Sequence, residues 1–483
     1  MKICLVAEGS YPYVSGGVSS WIQQLIRNMP EHEFTLISVS ASKNDTGEMK
    51  YTPPDNLLAI TAVCMDQLLH FSAKRTRDIS LSKEERDLLG TLLRTEVNDW
   101  SAVFNLFHNL RLKQTETTQL FSSKAVFQLL EEVYEEQYKD QAFTDVYWNL
   151  RSMYLPLFSL LLEEYPYADI YHSVSTGYAG IIAATASYQH GSGFVLTEHG
   201  IYTREREEEI IKSQWLKGSF KSSWINYFCC LSSAAYACTH QVVSLFQRNK
   251  EIQCDLGCDA DKIRVIHNGV RVEDFESVRR YVTDRNHRED LNVGAVVRVV
   301  PIKDIKTMLK AFAYASKKLP RLHFWIMGPT DEDPEYYEEC LQYKAFLHLN
   351  NVTFTGYVNL REYLGKMDLL VLTSISEGQP LAILEGMACS LPFVSTNVGD
   401  CAALVQGSTD PYGPAGKVAC VMDYADIGNG IVELCSDHRK RRLFGENGYT
   451  RIREKYTADA FINGYKSLYQ QVEEGMKSGR YRV

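Results

Sequence analysis

No stretch of this sequence approaches the roughly 18 consecutive apolar residues that a membrane-crossing helix needs, so a spanning segment is not expected. The opening "MKICLVAEG" is too short an apolar run for a secretory leader and has no small-residue cleavage site; it reads as a buried first strand. Positive charge is also in short supply. Lys and Arg number 51 against 60 Asp and Glu, and the net charge of −9 argues against nucleic acid as a partner. The 12 cysteines include no C-x2-C pair, which excludes a zinc knuckle and a disulfide framework and leaves reduced thiols in a cytoplasmic protein as the expectation. The G-x-G-x-x-G fingerprint of dinucleotide enzymes is missing. Two acidic triplets, "DAD" at 259–261 and "DED" at 331–333, flank turn residues and read as polar loops, not as holders of a metal-bound nucleotide.

What is present is an ordinary globular composition, 45% apolar and 23% charged over 483 residues, enough for two or three domains. Residues 1–40 alternate as strand, glycine turn, helix and strand, the opening of a doubly wound α/β domain. From about Asp66 to Arg151 the pattern turns helical and charged, as in "FQLLEEVYEEQY", which predicts a helical insertion. Alternation then resumes through "GFVLTEHG" and "IRVIHNGV". Residues 276–290 are polar and without periodicity, the expected linker. A second α/β series runs from "LNVGAVVRV" to "KVACVM". The expectation is therefore two Rossmann-like domains facing a cleft, 1–275 and 291–455. Residues 456–483 are expected to form a terminal helix that crosses back to the first domain.

Four stretches carry candidate chemistry. In "SGGVSSW", Gly16 and Gly17 sit between a strand and a helix, where bare backbone and a helix N-terminus suit an anion; a tight turn accounts for them equally. In "VVRVVPIKDIKT", Arg298 and Lys303 follow a strand at the end where open α/β sheets bind ligands, two cations suited to a diphosphate. In isolation, solvated loop charges explain them too. In "SEGQPLAILEGMAC", Gly378 and Pro380 open a helix whose amides could hold phosphate, and Glu377 precedes it. Glu385 lies inside an otherwise apolar segment, and an unpaired buried charge costs several kcal/mol. Complementing the helix dipole would explain Glu377 alone. Finally, "LTEHGIYTRERE" ends a strand at Glu198 and His199, with Tyr202, Arg204 and Arg206 beyond; a structurally bonded histidine is the plain alternative.

In this order the motifs resemble the family 4 retaining glycosyltransferases of the GT-B fold. Glu377 and Glu385 match that family's E-x7-E pattern, Arg298 and Lys303 its Arg…Lys pair, and "VIHNGV" its interdomain segment, with His267 where proline is common. "GYV" at 356–358, with Tyr357, matches the segment lining the nucleotide base. The first half, with "EGSYPYVSGGVSSW" and "LTEHGIYTRERE", resembles the PelF-type enzymes of Pel exopolysaccharide synthesis. The resemblance implies transfer of a hexose or N-acetylhexosamine from a UDP-sugar to a growing polysaccharide, beside membrane-bound synthesis and export proteins. It implies that Glu385 holds the ribose, Glu377 the donor sugar, and Arg298 and Lys303 the diphosphate. Gly16, Gly17, Gly378, Gln379, Pro380 and Leu381 would line the donor, with His199 near the reacting carbon. No metal or other cofactor is expected. A nucleotide-sugar epimerase of the same fold and a non-catalytic nucleotide-binding scaffold are the rival readings.

Overall fold

Two parallel sheets organise the chain. The computed structural model describes residues 1–14, 16–43, 47–69, 79–284, 290–408 and 410–481. These fall into two compact units, Met1–Val265 with Tyr465–Val483, and Ile266–Gly464.

The first unit holds β1 (Lys2–Glu8), β2 (Glu33–Ser40), β3 (Leu57–Cys64), β4 (Ile170–Ser173), β5 (Gly193–Glu198), β6 (Gln241–Ser244) and β7 (Ile263–Val265). They lie parallel in the order β3-β2-β1-β4-β5-β6-β7. Ile3, Cys4, Leu5 and Val6 are all buried, so β1 is covered on both faces and reads as an unbroken apolar run. Between β3 and β4 comes the helical insertion: Lys83–Leu93, Trp100–Leu112, Thr117–Phe121, Lys124–Gln137 and Phe143–Leu162. A capping box of Ser82 and Glu85 starts it. Its apolar faces join the first unit's core, with Phe107 against Phe158 at 5.3 Å. Residues 70–78 of the predicted insertion lie outside the described residues.

The second unit holds β8 (Leu291–Val296), β9 (Leu322–Met327), β10 (Val352–Gly356), β11 (Leu369–Leu372), β12 (Phe393–Thr396) and β13 (Gly416–Ala419), parallel in the order β10-β9-β8-β11-β12-β13. In each sheet the strand order reverses once, between β1 and β4 and between β8 and β11. Open α/β sheets bind ligands at the carboxyl ends of strands at such a reversal.

Two expectations need correction. The units divide at Val265/Ile266, not near residue 275, because Val270 is tied to Tyr456 and Ala458 by backbone hydrogen bonds of 2.9 Å inside the second unit. The expected linker begins with a helix, Glu276–Asp284, in which Val278 is buried and Arg279 bonds Ser390 and Glu446. The rest of that stretch, 285–289, lies outside the described residues. The last helix, Ala458–Lys477, belongs to the first unit from Tyr465 on. There the Tyr469 hydroxyl meets His172 Nδ1 at 2.7 Å, and Val472 packs where a Cβ on Gly193 would sit 2.6 Å away.

Candidate functional site

The reversal in the second sheet sets the carboxyl ends of β8 and β11 side by side. β8 runs into Arg298 and the short turn Pro301–Lys303, while β11 runs into the segment from Thr373 to Glu377. The two loops are joined directly. The Ile375 amide donates to the Ile302 carbonyl at 2.9 Å and the Thr373 hydroxyl to the Lys303 carbonyl at 3.0 Å. Lys303 Nζ then donates to Glu377 Oε1 at 2.5 Å, and the Ser374 hydroxyl donates to the same oxygen at 2.5 Å. Both partners of this ion pair are largely buried, with side-chain exposures of 16% and 11%. Lys303 and Glu377 thus form one unit, whereas the family resemblance implies separate tasks for them.

The helix Leu381–Ala388 follows at once. Pro380 is its N-cap, one residue earlier than the first-turn position expected, and no side chain caps the N-terminus. Among the described residues, the amides of Leu381 and Ala382 have no hydrogen-bond partner, so they present the positive end of the helix at the strand ends. The turn leading in is held rigidly. Gln379 is buried: its Oε1 accepts from the Asn268 amide at 2.6 Å, and its Nε2 donates to Asp400 at 2.6 Å. Gln379 therefore faces the protein and positions the loop, although it was expected among the ligand contacts. Gly399 (φ +51) passes so close that a Cβ would lie 2.2 Å from the Glu377 carbonyl and 2.3 Å from that of Gly378. Burial pushes the Asp400 carboxyl up to about 7, with the Gln379 hydrogen bond pulling it down.

Glu385 sits in the second turn of this helix, half-buried, and has no hydrogen bond or ion pair among the described residues. Burial pushes its pKa up to about 7, while Arg361 pulls weakly the other way. Arg298 is paired with Glu332 on the loop after β9. Tyr357 follows Gly356 (φ +66) at the end of β10 and is 87% exposed, an aromatic face free for stacking.

In the first unit, Gly16 caps the helix Gly17–Arg27 without a side-chain bond, and its amide donates to the Tyr51 hydroxyl at 3.3 Å. A side chain at Gly16 or Gly17 would meet nothing within 4 Å, so packing within the unit does not demand these glycines. His199, just after β5, packs edge-on against Trp21 at 4.7 Å. Its Nε2 is buried without a hydrogen-bond partner among the described residues, and burial lowers its pKa to about 4, so it is neutral at pH 7. Glu198 is structural: it accepts from Tyr236 (2.7 Å), Gln253 (2.9 Å) and the Tyr202 amide (3.2 Å). Tyr202 and Arg206 turn to Glu8 at the end of β1, at 3.0 and 3.2 Å, and Arg204 is exposed. Ser374, Asn268, Asp400 and Glu332 were not picked out from the sequence. Asn268 had a signal in its place within "VIHNGV", and Glu332 in the "DED" triplet that reads as a polar loop.

The architecture is that of the GT-B glycosyltransferases. A sucrose-phosphate synthase from Thermosynechococcus elongatus superposes with a TM-score of 0.62 at 16% identity, over 98% of this chain and 99% of that one. HepE of Anabaena, solved in complex with UDP-glucose, gives 0.59 at 15% identity over 99% and 100%. Residues 290–437 match the family described as "Glycosyl transferases group 1", and residues 1–261 match the "Domain of unknown function (DUF3492)". The chain belongs to the DUF3492 family. Among curated relatives, N-acetyl-alpha-D-glucosaminyl L-malate synthase of Bacillus anthracis is 29% identical over 37% of this chain, and the match spans 45% of that enzyme's length. The UDP-Gal:alpha-D-GlcNAc-diphosphoundecaprenol alpha-1,3-galactosyltransferase of Escherichia coli is 26% identical over 65% of this chain and 78% of its own. Among the described residues no helix is long and apolar enough to cross a membrane.

Proposed function

We propose that this chain is a retaining glycosyltransferase that moves a hexose or N-acetylhexosamine from a UDP-sugar to a growing exopolysaccharide, of the Pel type. The observation that carries this reading is the group at the second sheet's reversal. An uncapped helix N-terminus stands beside the Lys303–Glu377 pair, and the partnerless carboxylate of Glu385 lies one turn further along the same helix. A nucleoside diphosphate matches these parts in order. Its phosphates take the Leu381 and Ala382 amides with Lys303 and Arg298, and its ribose diol donates to Glu385. Tyr357 offers a face to the base. The Escherichia coli relative is named for UDP-Gal and HepE was solved in complex with UDP-glucose, which supports the same class of donor. On the first unit we assign His199, neutral and unpartnered at Nε2, to a sugar hydroxyl.

Retention by double displacement needs a carboxylate nucleophile on the sugar face opposite the leaving group. Glu377 is committed to Lys303 and Ser374, and Glu385 to the ribose, so neither supplies one. The route we assign is front-face. The acceptor oxygen bonds to the anomeric carbon on the side where the carbon–oxygen bond to the phosphate breaks, and a phosphate oxygen takes the acceptor's proton. Lys303 and Arg298 stabilise the charge gathering on the departing UDP, which removes the need for a metal ion.

Incubation with a panel of UDP-hexoses and UDP-N-acetylhexosamines, with and without saccharide acceptor and in excess EDTA, tests this. Acceptor-dependent UDP release in EDTA and an α-linked product by NMR from an α-linked donor are expected. A β-linked product, or an isomerised donor formed without acceptor, overturns the assignment.

A further inference from the structure

The acidic triplet at 331–333 was set aside as a polar loop, yet its members are held in place. The Gly328 amide donates to the Gly356 carbonyl at the end of β10 at 3.1 Å, and the Val299 amide to the Pro329 carbonyl at 3.0 Å, so the loop leaving β9 is tied to β10 on one side and to the loop leaving β8 on the other. Gly328 (φ +147) makes this closeness possible: a Cβ there would lie 2.1 Å from the Val297 carbonyl. At its far end, Asp333 caps the helix Pro334–Phe346 through the Tyr336 amide at 2.9 Å. Glu332 stands between these two anchors, and its carboxylate pairs with the Arg298 guanidinium.

Both cations of the anion-binding loops are therefore already matched by carboxylates, but the two pairs differ. Lys303–Glu377 is largely buried and reinforced by Ser374, so separating it would strand a buried charge. Arg298–Glu332 is 36% and 41% exposed, and an ion pair at that exposure contributes little and exchanges readily. Resting on the nucleotide reading above, we propose that Glu332 is a specificity-determining residue that competes with the ligand's phosphates for Arg298. It occupies Arg298 until a polyanion displaces it, so weakly charged ligands gain nothing from this arginine. The pairing also spares Arg298 from standing uncompensated in the empty site.

Titration calorimetry with UDP and with uridine tests this on the wild type, Glu332→Gln, Arg298→Ala and the double variant. Glu332 is exposed at its carboxylate and caps nothing, so Glu332→Gln leaves the fold intact. It is expected to tighten UDP by roughly two- to fivefold, the range that loss of one exposed ion pair allows, and to leave uridine unchanged. In the Arg298→Ala background the same change should have no effect on UDP. Unchanged or weaker UDP binding by Glu332→Gln, an equal gain for uridine, or a gain that survives Arg298→Ala overturns the competition. A wild-type protein that fails to bind UDP at all instead overturns the nucleotide reading on which it stands.

Discussion

At the scale of single residues, Glu385 is the most informative. A half-buried carboxylate without a partner is held near neutrality, its pKa raised to about 7 by burial. A ribose diol donates to both oxygens, in charge-assisted bonds, only when the carboxyl is ionised, so binding favours loss of the proton, and affinity should climb as pH rises through about 7 and level off above. Uridine reports this cleanly, since it carries no phosphate to titrate. Its affinity should fall by up to about tenfold per pH unit below that point, while Glu385→Gln should bind weakly at every pH with a flat profile. A wild-type profile as flat as the variant's would remove Glu385 from the ribose. This residue was legible in the sequence because a charge inside an apolar helix contradicts its surroundings. Glu377 stands out in the sequence as a candidate but not as Lys303's partner, because the two are 74 positions apart and meet only through sheet topology. Gln379 shows the same limit: nothing local reveals that Asn268, 111 residues away, turns its side chain inward.

At the scale of elements, the helix Leu381–Ala388 is short and must seat its charge and its amides together. Gly386, next to Glu385, lets it lie flat on the sheet: a Cβ there would be 2.4 Å from Leu370 of β11 and 2.7 Å from Phe393 of β12. Alanine ordinarily helps a helix interior by up to about 1 kcal/mol over glycine. Here overpacking against two strands should win, at about 1–3 kcal/mol. Gly386→Ala is therefore expected to lower the melting temperature of the second unit and to weaken UDP by tilting the helix. A higher melting temperature would mean that the strands yield. Most strands could be read from the sequence because parallel strands covered on both faces leave plain apolar runs, whereas β3, largely exposed, was not picked out. The helix Glu276–Asp284 is passed over although Val278, Tyr281 and Val282 share one face, because so few apolar residues among charges read as a linker.

At the scale of the whole molecule, the two units bury opposite kinds of titratable group. The first buries histidines: His172, between Tyr469 and Thr197, falls to about 3, and His199 and His240 fall to about 4, all by burial. A histidine with a folded pKa below its unfolded value of about 6.5 is protonated preferentially in the unfolded chain, so its effect on stability improves as pH rises toward 6.5 and worsens as pH falls toward 4. Glu198, raised to about 6, and Glu205, also raised by burial, oppose this, while His32 and His108, both lowered by burial, add to it, so the histidines outnumber the carboxylates. The second unit buries Glu385 and Asp400, both raised to about 7. There the folded state holds protons that the unfolded state has released above about 4.5, so stability falls as pH rises from 4.5 to 7. Carboxylates lowered by ion pairing, such as Asp410 and Glu433, act below this window and do not enter. Between pH 5 and 6.5 the units should move in opposite directions. Hydrogen exchange read separately over residues 1–265 and 266–464, corrected for intrinsic rates, should show protection rising in the first and declining in the second. Glu385→Gln should lessen the decline in the second unit and leave the first unchanged. Protection that moved the same way in both units would mean that these buried groups do not set the pH response of the fold.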